Sequence, residues 1–355
     1  MTTIMEVARA AGVSKSTVSR VLNGVPVSEE ARRRVEAAIA ALNFKPNAQA
    51  RGLSLRRSHL IGVVVPEIAR IFYGEVLEGI ESALAETGFE MIVCSTRNRQ
   101  GREWGLTKLL WSKRVDGLIL VTPREFSPQA LKSLKGEFPV VLVDGTSDSF
   151  SSISVDNFAG GFMATEHLLR LGHRRIGLIL GPDTRESDQR LRGYKKALAD
   201  YDCRFVPELI RSGDYLFDSG FTAMEELLAL PERPTAVFAA SDLMAIGALK
   251  AAEAHGIKVP EDLALVGFDD IEAARWTSPA LTTIRQPLRQ LGEIGGRTIV
   301  KAITKKNDPT KITLGCTLVV RESCGAFRRR MEGSRSGRSP DGNVEEGGGT
   351  GDIMM

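Results

Sequence analysis

Near the amino terminus, Ile4, Val7 and Ala8 recur at the i, i+3, i+4 spacing of one helix face. Thr3 and Glu6 bracket the start of that run as a capping box, the hydroxyl and the carboxylate each reaching the other's backbone. Gly12 breaks the run, and Val13 can plug the gap behind it. Ser14 then caps a second helix with Val18, Val21 and Leu22 on its apolar edge. Its outer stripe is Lys15, Ser16, Ser19 and Arg20. A third helix is predicted after Ser28, with Glu29 and Glu30 favouring its amino end and Ala31, Val35, Ala38, Ile39 and Leu42 buried. It stops before Pro46. Two short helices around a tight glycine turn, the second apolar on one edge and polar on the other, describe a helix-turn-helix.

After Leu60 the pattern changes. Short continuous apolar runs predict strands at 60–65, 91–95, 117–121, 140–144, 176–180, 236–240 and 263–268. Amphipathic helices are predicted at 73–86, 159–171, 187–199, 219–228, 243–255 and 288–304. Repeated strand–helix units imply parallel sheets covered on both faces, and a dozen elements imply two lobes.

Charge sharpens the division. The chain has 355 residues and a net charge of +3. Residues 1–59 hold ten Lys and Arg against four acids, a net of +6. A basic head on a mildly acidic body fits a nucleic-acid-binding module, although a solvated cationic surface accounts for the charge equally well. No apolar run reaches the ~18 residues of a membrane span. Charges at Glu6 and Arg9 exclude a signal peptide's apolar core, and Cys94, Cys203, Cys316 and Cys324 are scattered. The expectation is a cytoplasmic protein with reduced thiols.

The stretch MEVARAAGVSKSTVSRVLNG, followed by VSEEARRRVEAAIAALNFKPNAQARGL, resembles the lactose/galactose repressor family of bacterial transcription factors. The resemblance implies double-stranded operator DNA as partner and a homodimer. It implies that Lys15, Ser16 and Arg20 face base edges, while Thr17, Ser19 and Asn23 hold phosphates. The chemistry suits those roles, since Arg can grip guanine in a bidentate pair and short hydroxyls anchor phosphate oxygens. Residues 47–58 read as a hinge helix and linker. Helices this short are marginal alone, below ~12–15 residues, and Gly52 weakens this one further. By resemblance Leu53 wedges a base step in the minor groove; its plain alternative is an ordinary core contact.

The body resembles the periplasmic-binding-protein type of sensor in the same family, closest to its purine/ribose branch. The stretches that carry this are RVDGLIL, VDNFAGG, LGHRRIGLILG, RLRGY, RPTAVFAASDLMAIGAL, GIKVPEDLALVGFDD and SPALTTIRQP. It implies a head over 1–46 and a sensor over 59–324, with one lobe about 60–156 plus 287–318 and the other about 157–284. Residues 325–355, rich in Gly, Ser and Arg, read as a disordered tail. The same resemblance implies that the chain crosses between lobes near Asp156, Ile284 and Val320 and that a small molecule sits in the cleft. Asp144, Ser241, Asp242 and Asp269 lie at predicted strand ends, where open parallel sheets bind ligands. By family position Arg190 and Asp269 are the main polar contacts, and Phe72, Tyr73, Tyr215 and Trp276 are aromatic walls. Ser241 stands where many relatives have Asn. Each of these residues can also be read as a satisfied structural group. A sugar or sugar derivative is the expected effector, with a purine-like metabolite as the alternative.

Catalytic readings are poor. No Walker loop, metalloprotease motif or nucleophile elbow is present, and His59, His167, His173 and His255 lack metal-ligand spacing. No cofactor is implied. A transporter's solute-binding component would require export, which the basic head and missing signal oppose. A sugar-modifying enzyme lacks a motif.

Overall fold

The computed structural model describes residues 2–22, 25–44, 58–99, 101–112, 115–122, 134, 138–305 and 308–326. The hinge with Leu53, Asn23 and the tail beyond 326 lie outside them.

The head is three helices: α1 (Ile4–Ala11), α2 (Lys15–Leu22) and α3 (Glu29–Ala41). The capping box forms as the sequence demands, with Thr3 N–H donating to Glu6 Oε2 at 2.7 Å and Glu6 N–H to Thr3 Oγ1 at 3.4 Å. Gly12 ends α1 at φ 61°, a left-handed conformation that glycine adopts without a Cβ clash. Arg34 of α3 donates to the Gly12 carbonyl at 3.3 Å, holding the turn from behind. Val7, Ala8, Ala11, Val18, Val35 and Ala38 make the core, with Val13 packed against it.

The remainder contributes twelve strands and seven helices among the described residues. In order they are β1 (Leu60–Val65), α4 (Ile71–Leu84), β2 (Glu90–Ser95), α5 (Arg102–Ser112), β3 (Gly117–Val121), β4 (Val140–Val143), β5 (Ser151–Val155) and α6 (Asn157–Arg170). Then come β6 (Ile176–Leu180), α7 (Arg185–Asp200), β7 (Ile210–Ser212), α8 (Phe217–Leu228), β8 (Ala236–Ala239), α9 (Asp242–Ala254) and β9 (Ala264–Asp269). The chain ends through β10 (Thr282–Arg285), α10 (Leu288–Thr304), β11 (Lys311–Leu314) and β12 (Thr317–Val319).

These strands form two six-stranded sheets, ordered β11-β5-β4-β3-β1-β2 and β12-β10-β9-β8-β6-β7. The central pairings are parallel, with Val63 opposite Ile119 in one sheet and Leu178 opposite Phe238 in the other. β12 is antiparallel to β10. The chain divides into two compact units, Met1–Ile153 with Gly292–Lys311 and Ser154–Leu291 with Ile312–Met355. It therefore crosses at 153/154, 291/292 and 311/312, against the crossings read near Asp156, Ile284 and Val320.

In the second unit two apolar layers sandwich the sheet. One packs α8 and α9 against Ile179, Val237 and Leu265, and the other packs α6 and α7 against Leu178, Phe238 and Val266. Alternate residues of a strand feed opposite layers, which is why these strands read as unbroken apolar runs.

Candidate functional sites

On α2 the Ser14 hydroxyl accepts from the Thr17 amide at 3.1 Å and meets the Ser16 and Thr17 hydroxyls at 2.6 and 2.8 Å. The helix therefore begins where the sequence places its cap. Val18 is turned wholly inward, which leaves Lys15, Ser16 and Arg20 exposed and Thr17 and Ser19 half-buried. Long cations at the rim and short hydroxyls at the helix start suit a phosphate-lined groove.

The effector candidates fall on both units. Phe72 and Tyr73 begin α4 of the first unit, with their rings edge to face at 5.1 Å. Tyr73 is buried and Phe72 half-buried. At the carboxyl ends of the same unit's strands, the Thr122 hydroxyl donates to the buried Asp144 carboxylate at 2.9 Å.

The second unit brings Arg190, Tyr215 and Asp269 together. Its strand order reverses between β6 and β8, so the ends of those strands flank the crevice where such sheets bind ligands. Arg190 reaches that edge from α7, which packs backbone to backbone on α6. A Cβ at Gly161 would overlap the Arg190 main chain, and one at Gly193 would overlap the Phe158 carbonyl. The close fit sets Arg190 Nε against Asn157 Oδ1 at 2.8 Å, and Nη1 donates to the Ala240 carbonyl at 2.5 Å. The guanidinium lies 3.7 Å from the centroid of Phe268 and 5.6 Å from that of Tyr215. Two of its three nitrogens are thus fixed, and Phe268 covers one of its planar faces. Among the described residues Nη2 has no hydrogen-bond partner.

Tyr215 takes a positive φ of 68°, and its hydroxyl pairs with Ser187 at 2.6 Å. Its ring occupies the space above Gly181 that any side chain there would fill. Asp269 ends β9 at φ 122° and Asp270 follows at 62°. Left-handed backbone at a non-glycine residue costs of order 1–3 kcal/mol, and the surroundings hold both residues there. Gln286 Nε2 donates to Asp269 Oδ1 at 2.6 Å, and Arg285 and Arg321 bind Asp270. Burial pushes the Asp269 carboxyl up to about 6, against the pull of Arg190 and of donors from Gln286 and the Asp242 backbone. Gln286 Oε1 is buried and unpaired among the described residues, an acceptor beside that carboxylate.

Two other candidates stand differently. Ser241 is 3% exposed, and its hydroxyl caps α9 by accepting from the Met244 amide at 3.2 Å. Trp276 is 71% exposed, just after a 3-10 turn at Glu272–Arg275. Sequence reasoning passed over Asn157, Ser187, Phe268 and Gln286, although VDNFAGG, GFDD and IRQP contain three of them. A neutral amide carries no sequence signal that separates orienting an arginine from an ordinary surface role.

Among the described residues no helix is long and apolar enough to cross a membrane. Residues 3–47 match the bacterial regulatory proteins of the lacI family, and residues 165–324 match a periplasmic binding protein-like domain. The chain is 38% identical over 331 residues to the HTH-type transcriptional repressor PurR of Pectobacterium carotovorum subsp. carotovorum (strain PC1), covering 91% of this chain and 97% of that protein. It is similar in structure to a lac repressor dimer bound to operator and the anti-inducer ONPF, with a TM-score of 0.82 and 32% identity. That match covers 91% of this chain and 99% of the other. A complex of the regulator CelR with cellobiose matches at a TM-score of 0.70 and 36% identity, covering 91% of this chain and 100% of the other. An identity of this size over nearly the whole of both proteins places the chain in the lacI family of bacterial regulatory proteins.

Proposed function

We propose that this chain is a cytoplasmic, dimeric transcriptional repressor whose grip on a pseudo-palindromic operator is set by a small molecule held at Arg190 and Asp269. One observation carries the effector half of this reading: a buried, pre-oriented guanidinium beside a carboxylate at the strand ends of the second unit. A planar fork and an acceptor side by side select a ligand that both accepts and donates hydrogen bonds over a short span. Adjacent hydroxyls of a sugar meet that demand, and so does the carbonyl–amide edge of a purine. The first follows the cellobiose in the CelR complex, and the second the identity to PurR repressors.

The DNA half uses α2. Arg20 and Lys15 reach base edges in the major groove, Ser16 joins them, and Thr17, Ser19 and Asn23 fix register on phosphates. Leu53 in the hinge wedges the central step of the site. Ligand and operator act through linkage: a coupling of about 1–3 kcal/mol gives a 5–150-fold change in operator affinity, and DNA changes ligand affinity by the same factor.

A thermal-shift screen of sugars, sugar acids and purines tests the effector, because a ligand of the folded state stabilises by RT ln(1 + [L]/Kd). The Arg190→Ala protein is expected to lose the shift. Enrichment of random DNA is expected to return a two-fold symmetric site. A panel without any binder, or enrichment without symmetry, contradicts the corresponding half.

A further inference from the structure

Gln286 is 4% exposed and follows β10 directly. Its backbone is fully engaged: the N–H donates to the Asp269 carbonyl at 3.3 Å, and the carbonyl accepts from the Leu288 N–H at 2.9 Å. This continues the parallel register in which Arg285 faces Asp269. Pro287 comes next, and a residue before proline is held toward extended backbone. The side chain then bonds the same aspartate a second time, Nε2 donating to Oδ1 at 2.6 Å. Main chain and side chain together leave Gln286 little freedom to turn away.

A carboxylate only accepts, so the amide must turn its NH2 toward Asp269 and is left with its oxygen free. That oxygen, Oε1, is buried and meets no donor among the described residues. Nearly every buried acceptor in a native protein has a partner, because a bare one has given up water for nothing. Oε1 and Nε2 share one carbon, so the missing donor belongs beside the Asp269 carboxylate. Asp269 takes donors from Gln286 and from the Asp242 backbone. A carboxylate can accept about four hydrogen bonds, so it too has room for one more. Gln286, Asp269 and Arg190 all belong to the second unit.

We propose that Gln286 is a specificity-determining residue of the effector site, its Oε1 receiving an O–H or N–H of the effector next to the one held by Asp269. The proposal rests on the reading of Arg190 and Asp269 as effector contacts. Two acceptors side by side demand two neighbouring donors. A pair of adjacent hydroxyls meets that demand, and so does an N–H beside an amino group. A carboxylate or an ether oxygen placed there meets only lone pairs, so acid groups and alkylated analogues are rejected at this end of the site.

Calorimetry on the full chain tests this with two probe series: cellobiose with its monodeoxy derivatives, and guanine with its deamino and N-methyl derivatives. Each derivative lacks one donor of its parent. In the series that binds wild type, one derivative is expected whose penalty of about fivefold or more disappears in Gln286→Met, which carries neither amide group. A residue that only positions Asp269, or one whose Oε1 is served by a buried water, would weaken every member by a common factor. Penalties unchanged in Gln286→Met therefore overturn the proposal. A second measurement uses wild type alone and stands if the methionine variant does not fold. With glutamine side-chain carbonyls isotopically labelled, the Gln286 Cδ resonance is expected to move downfield with the parent compound and to stay in place with the derivative that lacks the donor. An unmoved resonance with the parent bound overturns the proposal. If neither parent binds wild type, the reading of Arg190 and Asp269 fails and the proposal falls with it. Binding that is lost in Arg190→Ala, with penalties indifferent to Gln286→Met, upholds that reading and overturns the proposal alone.

Discussion

The guanidinium of Arg190 stacks on Phe268, 3.7 Å from the ring centroid, with its Nε held by Asn157. An arginine gripped on one edge and one face has lost its freedom before any ligand arrives. Binding then costs little side-chain entropy, which otherwise takes about 0.5–1.5 kcal/mol per immobilised side chain.

Arg190→Lys is accordingly expected to be no conservative change. An ammonium neither stacks as a plane nor fills the fork, and it leaves Asn157 Oδ1 or the Ala240 carbonyl unpaired. A buried polar group without its partner costs about 1–3 kcal/mol. Urea unfolding is expected to show a loss of that size, and calorimetry is expected to show no binding of the effector. Unchanged stability would mean that the fork is not held as described.

Gly181→Ala probes the opposite wall. The new methyl would overlap the Tyr215 ring, and the ring must leave, breaking its hydroxyl contact with Ser187. Overpacking of this kind costs about 1–3 kcal/mol. A lowered Tm that Tyr215→Ala on the same background restores would identify the clash as the cause.

The pH dependence has a definite sign. The Asp269 carboxyl rises on folding from 3.8 to about 6. The folded protein therefore binds more protons than the unfolded chain between those values. The stability contribution is full below the lower value and is lost as pH rises through the upper one. Unfolding free energies measured across this window should fall with pH more steeply in wild type than in Asp269→Asn. Equal slopes would contradict the shift. Effector binding runs the other way, since donors to Asp269 favour its ionised form and affinity should rise through about pH 6.

In the head, Arg20→Ala is expected to cost about 1–3 kcal/mol of operator binding and to relax preference at one base pair, whereas Thr17→Ala should weaken all sequences alike. Competition with single-base operator variants separates the two. An unchanged preference profile for Arg20→Ala would remove it from base reading.

Much of this was legible in the sequence because strong local signals agreed with the fold. The capping box at Thr3, the glycine turn at Gly12 and the apolar runs of β1, β3 and β6 are all found where the periodicity places them. The strands that escaped notice are short or mixed. Ser151–Val155 alternates serine with Ile and Val, Ile210–Ser212 has three residues, and Thr282–Arg285 carries threonines and an arginine. Their pairing is decided by neighbours distant in sequence, not by local propensity. Among the candidates, a charged residue in a family motif stands out in the sequence, as Arg190 and Asp269 do. Asn157 and Gln286 bond to those two charged residues, and such contacts exist only once the strands are assembled.

Linkage requires reciprocity between a ligand held at Arg190 and Asp269 and the operator. The most direct measurement titrates the compound selected by the thermal-shift panel into the free protein and into the protein saturated with its selected operator. The expected result is two affinities differing by 5–150-fold, matched by the same factor in operator affinity with and without the compound. Identical ligand affinities in the two titrations would contradict it.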